Sequence, residues 1–176
     1  VNVYRDVIER IEALGLRYYV TGSWALSAYG RPRQTADLDL VVDVSPVSYE
    51  RTIRPAFSDS YLVNDPILVG GRAYGGVLHL AEVQKADLIL LRDDKWSRSA
   101  MDRRIQMAHP GLGLTWLISS EDLLLAKLDW SEGRSEMQLE DARSIARLAD
   151  DLDWDYVQRY AAALGVTSLL EAIRGD

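Results

Sequence analysis

Two aspartates, Asp37 and Asp39, stand one residue apart in the run Asp37-Leu38-Asp39-Leu40-Val41-Val42. Side chains alternate along a strand, so both carboxylates face one side. Two like charges that close repel each other. A divalent cation removes the repulsion, and carboxylate oxygens are the hard ligands that Mg²⁺ takes. Burying such a pair with no cation is costly. A third acid, Asp87, lies in a second strongly apolar run, Lys85-Ala86-Asp87-Leu88-Ile89-Leu90-Leu91. Upstream, Gly22-Ser23 follows a short strand and precedes a helix. Such a turn aims backbone N–H groups and a hydroxyl at an anion. Three carboxylates with a phosphate cradle are the parts of a two-metal phosphoryl or nucleotidyl transfer. One ion activates the attacking oxygen and both steady the reacting phosphate.

The elements that must position these residues follow from periodicity. Val3, Val7, Ile8, Ile11 and Leu14 share one helical face, and Gly15 stops that helix. Residues 17–20 read as a short strand, 24–29 as a helix ending at Gly30, and 31–35 as a polar loop. Residues 37–44 alternate as a strand. Ser45-Pro46 opens a helix that runs to about Pro55. Strands are predicted over 61–69 and 76–82, joined by a glycine-rich turn from Gly70-Gly71 to Gly75-Gly76, and again over 85–91. That turn has no Lys-Ser/Thr after it, so a hairpin suits it better than a phosphate loop. A helix over 95–107 is predicted to end at His109-Pro110-Gly111, and a strand follows over 114–118.

From Ser119 the character changes. Ser119 and Asp122 make a capping pattern before Leu123–Trp130. Helices over 136–148, 154–164 and 168–174 follow, the last two capped by Asp153 and Thr167. The expected fold is α/β (α+β), a short mixed sheet flanked by helices with a helical C-terminal portion. The expected division is a catalytic core over 1–118 and a helical subdomain over 119–176.

Composition narrows the function classes. With 48% apolar residues the chain can bury a core without staples. The absence of cysteine removes disulfides, thiolate metal sites and cysteine nucleophiles. It agrees with a cytoplasmic location, as does the amphipathic rather than secretory pattern of residues 1–15. No apolar run approaches a bilayer-spanning length, so no membrane is expected. The net charge of -7 argues against a large non-specific nucleic-acid surface. Local basic clusters remain at Arg31/Arg33 and at Arg98/Arg103/Arg104.

The segment Val20-Thr21-Gly22-Ser23, with thirteen residues between Ser23 and Asp37-Leu38-Asp39-Leu40, resembles the signature of the DNA polymerase β-like nucleotidyltransferase superfamily. Trp24-Ala25-Leu26 and Tyr29-Gly30-Arg31-Pro32-Arg33-Gln34-Thr35 resemble its bacterial AbiEii/MenT-type toxin branch. So do Ser119–Leu128 and Leu139-Glu140-Asp141-Ala142-Arg143, and the likeness covers roughly residues 18–170. It implies a nucleotidyltransferase fold and transfer of a nucleoside monophosphate from an NTP, such as ATP, to a hydroxyl, with two Mg²⁺ ions. Gly22 and Ser23 then match the triphosphate-holding turn, with Arg33 a nucleotide contact. Asp37 and Asp39 match the metal-binding acids, and Asp87 the third acid, which activates the acceptor. Lys127 matches a lysine that contacts nucleotide phosphates, and Asp141 an acid that toxin relatives require. The acceptor implied first is a tRNA 3′ end or another macromolecule such as a protein, with an antitoxin as partner.

Alternatives stay open on the residues alone. Aminoglycoside and lincosamide nucleotidyltransferases share the Gly-x-Trp-Ala-Leu pattern near residue 24, which leaves a small-molecule acceptor in play. A catalytically silent nucleotide- or partner-binding module is the other alternative. Ser23 alone reads equally as a helix cap, Arg31 and Arg33 as loop charges, and Lys127 as a snorkelling lysine. Asp141 reads as a surface acid paired with Arg143 or Arg147.

Overall fold

A computed structural model describes residues 2–175. The described chain forms two compact units. One is the chain up to Thr21 together with Thr35–Leu117. The other is Gly22–Gln34 together with the chain from Ile118 onward.

The first unit holds seven strands among the described residues: β1 (Tyr18–Val20), β2 (Asp37–Val42), β3 (Tyr61–Val69), β4 (Arg72–His79), β5 (Lys85–Leu90), β6 (Ile105–His109) and β7 (Gly113–Leu117). They lie in one sheet in the order β3-β4-β5-β2-β1-β7-β6. The β2/β5 and β1/β7 pairs are parallel and the others antiparallel. The mixed sheet expected from the sequence is therefore present. Its centre is β5-β2-β1. Leu38, Leu40, Val42 and Leu88 are fully buried there, which is what the alternation in both runs demands.

Helices α1 (Val3–Ala13), α3 (Pro46–Phe57) and α4 (Lys95–Arg103) belong to the same unit. The apolar stripe of α1, Val3-Val7-Ile8-Ile11, is buried, and its N-cap Asn2 accepts from the Arg5 N–H. Tyr49 and Ile53 of α3 are fully buried against the sheet.

Two sequence expectations are corrected here. The helix predicted over 95–107 stops at Arg103. Arg104 turns extended (φ -54°, ψ 147°), and Ile105–His109 pairs antiparallel with β7. This pairing satisfies a backbone edge of β7 that a longer helix would have left open. It also lets the Arg104 guanidinium stack 4.5 Å over the Trp116 ring. The second correction concerns the glycine-rich turn, which is Gly70-Gly71 alone, since β4 begins at Arg72. Gly75 lies inside β4 because the Tyr49 ring packs on its backbone. A Cβ there would stand 2.5–2.7 Å from that ring.

The second unit is helical: α2 (Gly22–Tyr29), α5 (Ser120–Ser131), α6 (Glu136–Leu148), α7 (Trp154–Leu164) and α8 (Thr167–Gly175). Helix α5 is apolar around most of its circumference and packs against α2, α6 and α7. Its N-terminus is capped as the sequence predicts, with Ser119 accepting from the Asp122 N–H at 3.2 Å. The Asp122 carboxylate is fully buried and accepts from Ser119 at 2.7 Å and from the Tyr156 hydroxyl at 2.7 Å. That acid is spent on tying α5 to α7.

Candidate active site

The first unit assembles the acids. In the parallel β2/β5 ladder Asp39 lies opposite Asp87, and Asp37 opposite Lys85. In-register residues of neighbouring strands face the same way, and i, i+2 residues of one strand do too. Asp37, Asp39, Lys85 and Asp87 therefore share one face of the sheet, while Leu38, Leu40, Ala86 and Leu88 fill the other. Both strands carry the same burial sequence, with half-exposed acids followed by buried aliphatics, so the acids sit where the sheet meets solvent.

The entry to β2 is held by short local bonds. The Asp37 N–H donates to the Thr35 hydroxyl at 3.4 Å, and that hydroxyl reaches the Asp37 carbonyl at 3.2 Å. The Tyr4 hydroxyl donates to the Ala36 carbonyl at 2.5 Å. Burial, and then the Asp37 charge, raise the Tyr4 phenol above its usual range. The Thr21 N–H donates to the Asp39 carbonyl at 2.9 Å, which anchors the other side of the acid pair.

Lys85 is a residue that sequence reasoning missed. Its ammonium donates to the Asp87 carboxylate at 2.7 Å. That hydrogen bond, followed by the charges of Asp87, Asp37 and Asp39 against an opposing desolvation cost, raises Lys85 above the ordinary lysine range. The signal was visible, since Lys85 and Asp87 are two residues apart on a strand. It needed the β2/β5 register to place the ammonium among all three acids.

Three carboxylates are a donor set whose chemistry suits Mg²⁺. Among the described residues no group of three or more His, Asp or Glu side chains is assembled to hold a metal ion. The Lys85 ammonium is the cation paired with Asp87 on this face.

The second unit carries the remaining predicted residues. Gly22 opens α2 with φ +63°, a conformation that a side chain would strain. Ser23 is buried in the first turn of α2, inside the helix rather than before it. Arg33, Lys127 and Asp141 come together. The Lys127 ammonium donates to Asp141 at 2.8 Å, and the Arg33 guanidinium reaches the same oxygen at 3.4 Å. The Lys127 side chain is 1% exposed, that of Asp141 9%, and that of Arg33 35%. Lys127 is thus a buried member of an ion triad and not a snorkelling lysine. Arg143, the partner considered for Asp141 from sequence, pairs instead with Glu136 and Glu140. A cavity of about 250 Å³ opens beside the triad, bordered by Arg31, Pro32, Arg33, Met137, Glu140 and Asp141.

The topology, with its paired acids on the central strands, is that of the nucleotidyltransferase fold. The chain matches an antigenic nucleotidyltransferase-like protein from Paracoccidioides brasiliensis with a TM-score of 0.58 and 18% identity, over 98% of this chain and 91% of that one. The antibiotic-resistance factor ANT(2'')-Ia matches with a TM-score of 0.54 and 13% identity over 99% and 94% of the two chains. The same factor in complex with adenylyl-2''-tobramycin matches at 0.50 with 15% identity over 96% and 95%. No protein-family model and no curated protein matches the chain. No described helix is long and apolar enough to cross a membrane.

Proposed function

We propose that the protein is a Mg²⁺-dependent nucleotidyltransferase that moves a nucleoside monophosphate from an NTP to a hydroxyl acceptor. One observation carries this reading: Asp37, Asp39 and Asp87 share a face on two neighbouring parallel strands of a nucleotidyltransferase fold. Asp37 and Asp39 would hold the ions, and Asp87 would complete the acceptor-side set. When bound, the ions offset the charge of the triphosphate and of the attacking oxygen. The acceptor oxygen bonds to the α-phosphorus as that phosphorus parts from the bridging oxygen of pyrophosphate, and the hydroxyl proton passes to Asp87. Gly22, Ser23 and the first amides of α2 hold the triphosphate. Arg33 is the nucleotide-contacting cation of the helical unit, because it alone of its triad is substantially exposed. Lys127 and Asp141 act by holding Arg33. Direct phosphate contact by Lys127 would need its bond to Asp141 to open.

The segments resembling AbiEii/MenT-type toxins favour a macromolecular acceptor, a tRNA 3′ end first and a protein hydroxyl second, with neutralisation by an antitoxin and action in the cytoplasm. A second reading is a small polyhydroxylated acceptor of the aminoglycoside or lincosamide kind. The near full-length likeness to ANT(2'')-Ia favours it, and so does the net charge of -7, which suits a cationic small molecule better than RNA. Incubation with each α-labelled NTP, Mg²⁺ and pools of RNA, protein or aminoglycosides separates the two by which pool becomes labelled. Label should disappear with Asp37→Ala/Asp39→Ala. Equal Mg-NTP binding by wild type and that double variant would refute the metal assignment. NTP binding with no transfer to any pool would leave a silent binding module.

A further inference from the structure

We propose that Lys85 is a resident counter-ion of the acidic face, a positioning residue that competes with a divalent cation for Asp87 and sets how tightly that cation is held. The inference rests on the metal assignment made above and extends it to a residue outside the three acids.

Lys85 stands opposite Asp37 and two residues before Asp87 on the same face. Its ammonium is 2.7 Å from an Asp87 oxygen. A cation at Asp87 must therefore displace this ammonium or share the carboxylate with it. Displacement is sterically open, because the Lys85 side chain is 41% exposed and ends a flexible four-carbon stem. Without a divalent ion, the Lys85 ammonium offsets the charge of Asp87 on the face that Asp87 shares with Asp37 and Asp39. With one bound, it adds a like charge beside the ion. Both consequences lower the net gain from metal binding, and both vanish when the ammonium is removed while the stem is kept.

Lys85→Met tests this, with Lys85→Gln as the alternative where Met does not fold. Lys85→Arg keeps the charge, and Asp39→Ala removes a ligand. Free Mn²⁺ is followed by electron paramagnetic resonance on the full chain without nucleotide, and unfolding midpoints are recorded in chelator and in Mn²⁺. Lys85→Met should bind Mn²⁺ roughly tenfold more tightly than wild type, and Lys85→Arg should stay near wild type. In chelator Lys85→Met should melt below wild type, and Mn²⁺ should raise its midpoint by more. Equal or weaker Mn²⁺ binding by Lys85→Met, with binding still lost in Asp39→Ala, overturns the role of Lys85 and leaves the metal assignment standing. No Mn²⁺ binding by wild type or by Lys85→Met overturns both.

Discussion

Lys127 and Asp141 form an ion pair 2.8 Å long with both side chains almost fully buried. Two charges taken out of water are costly, and their attraction only about offsets that cost, but removing one partner strands the other. The triad here is asymmetric. Lys127→Met leaves Asp141 with Arg33 at 3.4 Å, while Asp141→Leu removes the one carboxylate that both cations of the triad share. Asp141→Leu should therefore cost more, about 3–5 kcal/mol in urea unfolding, and Lys127→Met about half as much. Lys127→Met/Asp141→Leu together should recover most of the stability. Transferase activity should not return with it, because Arg33 loses its anchor. Equal costs for the two single variants would mean that Arg33 does not substitute for Lys127.

The two β2 acids and the β5 acid should separate in kinetics. Asp87→Asn removes a charge and the proton acceptor without removing volume, so kcat should fall by roughly 10²–10⁴-fold. NTP affinity should change little, because Asp37 and Asp39 remain. Asp39→Asn should instead weaken Mg²⁺-dependent NTP binding as well as turnover. Single-turnover transfer with a titration of Mg²⁺ reads both. A large loss of NTP binding in Asp87→Asn with unchanged chemistry would reverse the assigned roles.

The acidic face was legible in the sequence because strand alternation alone puts Asp37 and Asp39 on one side, and a second apolar run frames Asp87. Lys85 was not, because its place depends on a parallel register between strands 48 residues apart in the chain. The helical half was read as elements but not as a triad. Lys127 sits in an apolar stretch where sequence cannot separate a snorkelling cation from a buried one, and only the approach of α6 and the 31–34 loop decides it. β6 was mistaken for the end of α4 because the strand exists only through its pairing with β7. Pairing is tertiary and overrides weak local preference.

Gly75 illustrates a constraint hidden in the same way. Its backbone lies under the Tyr49 ring, whose hydroxyl donates to the Asn64 carbonyl and accepts from the Gly76 N–H, each at 3.1 Å. Gly76 in turn pairs with Asp87 across the β4/β5 ladder. Gly75→Ala must push the ring away, and overpacking of this kind costs about 1–3 kcal/mol. Tyr49→Leu should cost stability by itself, and Gly75→Ala should then add little to it. A thermal-unfolding double-mutant cycle measures the coupling. Strict additivity would mean that the ring and the added methyl do not meet.

Alkaline titration offers a readout that needs no ligand. Burial pushes the phenols of Tyr18, Tyr29 and Tyr49 up to about 12, and it also raises Tyr61. For Tyr18 a bond to Thr115 opposes the rise and the Glu12 carboxylate adds to it. For Tyr29 the Glu121 charge adds to it. A raised folded pKa means that the native state keeps protons that the unfolded chain has lost. For Tyr18, Tyr29 and Tyr49 the stabilisation is thus complete below pH 10, falls as pH rises, and is gone above about 12. Tyr18, Tyr29, Tyr49 and Tyr61, together with Tyr4, should lag the unfolded chain in absorbance at 295 nm and ionise with loss of circular dichroism. Tyr18→Phe should remove one proton from the late ionisation and leave the rest of the titration unchanged. A single wave near pH 10 with the fold intact would show that these hydroxyls reach solvent.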